Sequence, residues 1–159
     1  MAESVFNPPI YDRYFEDYIV GSVYEFGSIV VHEEHILDFA RRYDPQAFHV
    51  DPEKAKESPF GGLIASGWHT AALTMRLLVD HYVSKVAGVG SPCSGPIRWL
   101  KPVRPDDELS IRVTILKANI HRKKPDRGIV SALVETINQH REVVMTRTAI
   151  GITRCRNKT

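Results

Sequence analysis

Along this chain the spacing of apolar residues changes period several times. Residues 24–31, "YEFGSIVV", are rich in β-branched and aromatic side chains and predict a strand. In "HEEHILDFARRY", Ile36, Phe39, Ala40 and Tyr43 recur at intervals of three and four behind an acidic first turn. That is the pattern of an amphipathic helix over 33–43. Pro45 ends it, and the residue before a proline is pushed out of the α region, so Asp44 is expected in an extended or turn conformation. Asp51 followed by Pro52 is a second start signal, an N-cap and a proline at the first helical position, and predicts a short helix over 52–57. The loop "SPFGG" leads on to "GWHTAALTMRLLVDHYVSKV" at 67–86, which has no proline or internal glycine. Its apolar residues cover so much of the circumference that a long, largely buried helix is expected. "AGVGSPCSG" then reads as the loop that ends it.

The remainder alternates. Strands are predicted over 96–103, with Pro102 marking a bulge or edge, and over 108–120, 129–139 and 142–153. Turns are expected at 123–128 and around His140–Arg141. The first twenty residues hold Phe6, Tyr11, Tyr14, Phe15 and Tyr18 without a clean period. They are expected to lie on the body as an arm, with a short helical turn near 11–16. One long central helix wrapped by one curved antiparallel sheet accounts for this order of elements, an α+β architecture. No repeat, low-complexity stretch or linker divides the chain, so 1–159 is expected to be one domain, with 1–20 as its N-terminal arm.

Composition narrows the function. With 43% apolar and 25% charged residues the chain has the make-up of a soluble globular protein. A net charge of +2 is too small to argue for nucleic acid. The one basic cluster, His121 to Lys124, reads as a solvated turn, with attraction for a phosphate-bearing small molecule as the alternative. Cys93 and Cys155 lie in no CxxC motif and are too few for a disulfide framework. The N-terminal stretch lacks a basic region followed by an apolar run, and no apolar stretch is long enough to span a bilayer. A cytoplasmic protein without membrane association is therefore expected.

Candidate chemistry concentrates in two places. In "YDPQAFHVD" at 43–51, Asp44 and His49 stand five positions apart, a poor spacing for neighbours on a helix. With the helix stopped at Pro45, residues 45–48 become a turn that can return His49 beside Asp44. Phe48 then points the other way as a hydrophobic anchor. A carboxylate and an imidazole converging on one water form a general acid/base pair. The plain alternative is a helix-terminal turn residue and a surface histidine. In "IASGWHT" at 64–70, Ser66 is a good N-cap and Gly67 opens the long helix, where free N–H groups and the helix dipole suit a carbonyl or oxyanion. The alternative there is an ordinary capped helix with glycine for packing. A metal site from Asp44, His49, Asp51 and His69 lacks an H-x-x-x-H pair or a cysteine set, so no metal is expected. His32 and His35 read as solvated and His81 as structural.

Three segments together give the chain a family resemblance. "YDPQAFHVDPEKA" at 43–55, "FGGLIASGWHT" at 60–70 and "IRWLKPVRPDDEL" at 97–109 are similar to the hydratase motif, helix entrance and proline-containing strand of MaoC-like dehydratases. That family includes the (R)-specific enoyl-CoA hydratases of the hotdog fold. The resemblance implies a lyase of fatty acid metabolism that adds water reversibly to a trans-2-enoyl-CoA, or another acyl thioester, without cofactor. It carries the catalytic pair over to Asp44 and His49 and the carbonyl-binding N–H to Gly67, with Phe48, Ser66 and Trp68 as substrate contacts. It also implies a homodimer or larger assembly, with two sheets joined edge to edge. A hotdog protein that binds acyl thioesters without turnover is the alternative, against which stands the retention of both Asp44 and His49. The chain departs from the family pattern at Gln46-Ala47 in place of Asn-Pro, at Ser66 where histidine is common, and at Asp106 where glycine is usual.

Overall fold

The computed structural model describes residues 6–157. Five strands, β1 (Val23–Val30), β2 (Gly88–Trp99), β3 (Glu108–Ile120), β4 (Arg127–Ile137) and β5 (Val143–Arg154), form one antiparallel sheet in the order β1-β3-β4-β5-β2. Among the described residues four α-helices accompany it, α1 (Glu33–Tyr43), α2 (Ala47–Val50), α3 (Pro52–Lys56) and the long α4 (Gly67–His81), with one 3-10 turn at Phe15–Asp17 in the N-terminal arm. Strands β3 to β5 form the expected meander. β1 closes one edge and β2, which follows α4 in sequence, lies at the other.

The sheet presents one face to α4. Ile111, Val113 and Ile115 of β3 and Val130, Ala132 and Val134 of β4 alternate into the interior, as a half-buried strand requires. They pack with Leu77, Leu78 and Tyr82 and with Phe6 and Tyr18 of the N-terminal arm, which does lie on the body. A second cluster, including Val31, Ile36, Ala55, Leu63, Val103 and Met145, fixes α1 and α3 against the other end of the sheet. The candidate site sits at the junction of this second cluster with the start of α4.

Several expectations need correction. The long helix stops at His81, five residues before the predicted end, because Arg13 takes its last carbonyls. The Arg13 guanidinium is 2% exposed and donates to the carbonyls of Tyr82 at 2.7 Å, His81 at 3.1 Å, Phe6 at 2.8 Å and Pro8 at 3.1 Å. A cation at a helix C-terminus satisfies orphan carbonyls and meets the negative end of the dipole. The helix is also less buried than its composition implied, since Trp68 and Met75 face outward. Strand β2 begins at Gly88 and absorbs the stretch read as a loop. Its glycines and prolines are tolerated because it is an edge strand whose register with β5 shifts three times. Pro102 falls beyond it. Residues 45–48 are not a plain turn, because α2 places Ala47 to Val50 in a helical turn of their own.

Asp106, where the family favours glycine, has φ 69°, in the left-handed region that aspartate tolerates better than most residues. No helix among the described residues is long and apolar enough to cross a membrane.

Arg13→Ala takes a donor from four carbonyls, those of Phe6 and Tyr82 in buried contacts and those of Pro8 and His81 in part-buried ones. It is expected to cost about 3–5 kcal/mol of unfolding free energy, read as a drop in the denaturant midpoint at unchanged slope.

Candidate functional site

Asp44 terminates α1, and its backbone N–H still closes the helix on Ala40 while its φ of −152° takes the chain out of it. The next helical turn, α2, begins two residues beyond Pro45 and carries His49 back toward Asp44. His49 Nε2 lies 3.4 Å from Asp44 Oδ2. The imidazole is buried and its Nδ1 lies 2.8 Å from the carbonyl oxygen of Ile64. A carbonyl can only accept, so the network assigns the proton to Nδ1. In the neutral ring Nε2 then presents a lone pair toward the carboxylate. Both atoms can then accept from one water lying alongside the pair, one O–H to each.

Ile64 is held in turn. Its N–H donates to the Phe48 carbonyl at 3.2 Å, and the N–H of Ala65 donates to the Val103 carbonyl at 2.8 Å. The segment leading into α4 is thus pinned between the His49 turn and Val103 in the connection from β2 to β3. Ser66 follows, fully buried. Its hydroxyl donates to Asp44 Oδ2 at 2.6 Å and accepts from the Trp68 N–H at 3.3 Å, so the N-cap of α4 is also a ligand of the carboxylate. Gln46 donates from Nε2 to the other oxygen, Asp44 Oδ1, at 2.7 Å.

Burial by itself raises the Asp44 carboxyl. The hydrogen bonds from Ser66 and Gln46, joined by the charge of His49 whenever that ring is protonated, outweigh burial and hold the carboxyl below its ordinary value. Asp44 is a well-supported anion.

Gly67 opens α4, and its N–H has no acceptor within the helix. A side chain there is excluded by close approach, since a Cβ would lie 2.7 Å from the Trp99 ring. Trp99 in turn donates from Nε1 to the Gly67 carbonyl at 2.8 Å and meets Trp68 edge to face, with centroids 5.3 Å apart. All these groups border one cleft of about 410 Å³, whose walls include Phe48, Phe60, Trp68, Trp99, Leu100 and Lys101.

Of the six residues singled out in the sequence, Asp44, His49, Gly67, Phe48 and Trp68 line this cleft, and Ser66 supports it from beneath. Phe48 does not point away. It packs edge to face on His49 at 4.5 Å and against Phe60, forming a wall of the same opening. Asp51 is occupied as the cap of α3, accepting from the N–H groups of Glu53 and Lys54. His69 is stacked on Phe39 at 4.8 Å, where burial pushes its pKa down. The basic turn at 121–124 joins β3 to β4, at the opposite end of β3 from the cleft, and is not part of it. Sequence reasoning missed the Ile64 carbonyl, which as a backbone atom leaves no residue signature. It also missed Trp99, although "IRW" had been noted for other reasons.

An antiparallel five-stranded sheet packed on one central helix is the architecture of the hotdog fold. The family model "MaoC like domain" matches residues 17–139, and the chain belongs to the MaoC-like dehydratases. The Bacillus subtilis (strain 168) protein YdeM, described as uncharacterized, is 34% identical over 124 residues, covering 78% of this chain and 86% of YdeM. The crystal structure of a MaoC-like dehydratase from Rhodospirillum rubrum is 40% identical, with a TM-score of 0.82 over 91% of this chain and 99% of that one. The unliganded R-hydratase PhaJ1 from Pseudomonas aeruginosa shares the fold at 20% identity, with a TM-score of 0.69 over 92% of this chain and 88% of its own.

Ser66→Ala removes one of the donors that hold Asp44 down, so the Asp44 carboxyl is expected to titrate at higher pH. The depressed native value stabilises the fold above the ordinary value near 3.8, and this contribution is lost as pH falls through the native value. The variant therefore begins acid unfolding at higher pH than the parent. Carboxyl-carbon NMR titration and circular dichroism read the two shifts. An unmoved Asp44 titration contradicts the assignment of Ser66 as its main donor.

Proposed function

We propose that the protein is a hydratase/dehydratase that adds water reversibly to a trans-2-enoyl-CoA, or an equivalent acyl thioester, to give the 3-hydroxyacyl thioester. The observation that carries this reading is the pairing of Asp44 Oδ2 with His49 Nε2 at 3.4 Å, beside the free N–H of Gly67 in one cleft. The Ile64 carbonyl fixes the imidazole tautomer, so both members of the pair can accept a hydrogen from a single water. Family membership supports the same chemistry, as does the fold shared with an R-hydratase.

In the hydration direction the water oxygen bonds to C3 while the C2–C3 π electrons move toward the thioester carbonyl. Asp44 takes one proton from the water. Negative charge collects on the carbonyl oxygen, where the Gly67 N–H and the positive end of the α4 dipole stabilise it. The enolate then collapses as C2 takes up a proton from the Asp44–His49 pair. The sum is OH on C3 and H on C2, and the pair returns to its starting protonation. Asp44 serves chiefly as base, with His49 positioning the water and assisting proton delivery.

The working form is proposed to be a homodimer. β2 is an edge strand of twelve residues, and Val89 and Trp99 on it and Trp68 and Met75 on α4 are exposed large apolar side chains. A second copy paired along β2 covers both the open edge and this apolar surface. Light scattering coupled to size exclusion is expected to give twice the monomer mass. A single-chain mass across micromolar concentrations argues against the pairing.

Incubation with short and medium enoyl-CoAs, following loss of the conjugated enoyl absorbance with free thiol monitored in parallel, tests the activity. Hydration without thiol release is expected. Thiol release points to thioester hydrolysis, and tight binding with neither points to a binding protein. Asp44→Asn and His49→Ala are each expected to lower kcat/KM by about 10²–10⁴ with the fold retained. Near-normal turnover in either variant would falsify the assignment.

A further inference from the structure

Beyond the cleft, a second cavity of about 360 Å³ lies between the C-terminal half of α4 and the β5–β2 side of the sheet. Its walls are mostly apolar, with Met75, Leu78, Tyr82, Val130 and Ala149 among them, but Arg147 of β5 also lines it. Arg147 pairs across the sheet with Val134, a fully buried core residue, which puts its side chain on the helix-facing side. An arginine in that position is anomalous. Its Nε is buried without a hydrogen-bond partner, and among the described residues it forms no ion pair. No aspartate or glutamate borders the cavity.

The chain's other enclosed arginines are not left this way. Arg13 donates to four carbonyls. Arg112, on the outer face of the sheet, makes a two-pronged contact with Glu135 at 2.7 and 3.0 Å. A half-buried guanidinium facing an apolar hollow costs desolvation that nothing in the chain offsets, and burial alone pushes its pKa down. Such a cost persists where a bound anion offsets it.

The cavity is next along α4 from the cleft. Gly67 is held under Trp99, which pairs with Met145, and Arg147 pairs with Ile97. Those two pairs are two residues apart along the strand, roughly 7 Å. The strand positions beside the cleft and beside the guanidinium are thus close neighbours on one side of α4.

We propose that Arg147 is the specificity-determining residue of the acyl pocket and selects acyl groups that carry a carboxylate away from the thioester. The substrate class is then the thioesters of unsaturated dicarboxylic acids, hydrated by the same addition of water across C2 and C3. Their carboxylate forms the paired hydrogen bonds that guanidinium geometry favours. This rests on the hydratase reading of the Asp44–His49 cleft.

The test compares matched substrates ending in methyl or in carboxylate: crotonyl-CoA with fumaryl-CoA, and trans-2-hexenoyl-CoA with its ω-carboxy counterpart. The expected preference in kcat/KM for the carboxylate form is at least about 10-fold, carried mainly by KM, as a charged buried hydrogen bond implies. Arg147→Leu is expected to collapse the ratio to about 1, and Arg147→Lys to keep part of it. Binding of succinyl-CoA against butyryl-CoA, measured by calorimetry, separates this inference from the activity itself. A carboxylate preference in binding that is lost in Arg147→Leu, without turnover of any enoyl-CoA, upholds Arg147 and rejects the hydratase reading. Turnover with equal ratios in parent and Arg147→Leu upholds the hydratase and overturns Arg147. Loss of the dimer in Arg147→Leu with no preference in the parent assigns the counter-charge to a second copy and likewise overturns it.

Discussion

The hydroxyl of Ser66 is the contact on which the rest of the site depends. It has one proton to give, and Asp44 Oδ2 receives it at 2.6 Å, while its oxygen accepts the Trp68 N–H that α4 cannot satisfy internally. One buried group therefore caps the central helix and orients the carboxylate. The two tasks share a geometry: the helix can start only where the carboxylate ends, and Gly67 is delivered beside Asp44 without further apparatus. The approach is tight enough that Trp99, closing on the Gly67 backbone, leaves no room for a Cβ.

The opposite end of α4 is held by a group from another part of the chain. Arg13 takes the carbonyls of His81 and Tyr82, so the N-terminal arm fixes where the helix stops. Between these anchors the helix presents Leu77 and Leu78 to β3 and β4 and turns Trp68 and Met75 outward. The side facing β5 and β2 stays open. That asymmetry gives the molecule a cleft at the start of the helix and a cavity further along it, where a helix buried all round would leave neither.

How much of this was legible in the sequence follows the range of each interaction. α1 was read to its end residues because its period, acidic first turn and following proline are all local. Asp44 and His49 were legible for the same reason, since Pro45 marks the break that brings them together. α2 was not, because four residues show no period and a single helical turn is decided by its neighbours. The end of α4 was missed because its cap stands 68 and 69 residues away in sequence. β2 was half missed because its glycines and prolines imitate a loop, and only the pairing with β5 makes them a strand. Asp51, by contrast, was read correctly as a cap from its neighbours alone.

The substitution that set this chain apart from the family motif, Gln46 where asparagine is usual, can now be given a physical role. Its side-chain amide donates to Asp44 Oδ1, so both carboxylate oxygens are engaged, one by a buried hydroxyl and one by an exposed amide. Engagement of that kind stabilises the anion and so weakens it as a base, whereas general base catalysis works best when the group's pKa approaches the operating pH. The two donors differ in what a ligand can do to them. Ser66 is locked beneath the site by the helix it caps. Gln46 stands exposed at the wall of the cleft, where a ligand entering on the proposed reading would compete for the same space. On the proposed reading, covering Asp44 increases its burial and displacing Gln46 removes a donor, and both changes raise the carboxyl toward the range in which it can take a proton from water. On that reading Asp44 is the weaker base in the open site and the stronger base in the filled one, a difference that depends on one donor being fixed and the other exposed.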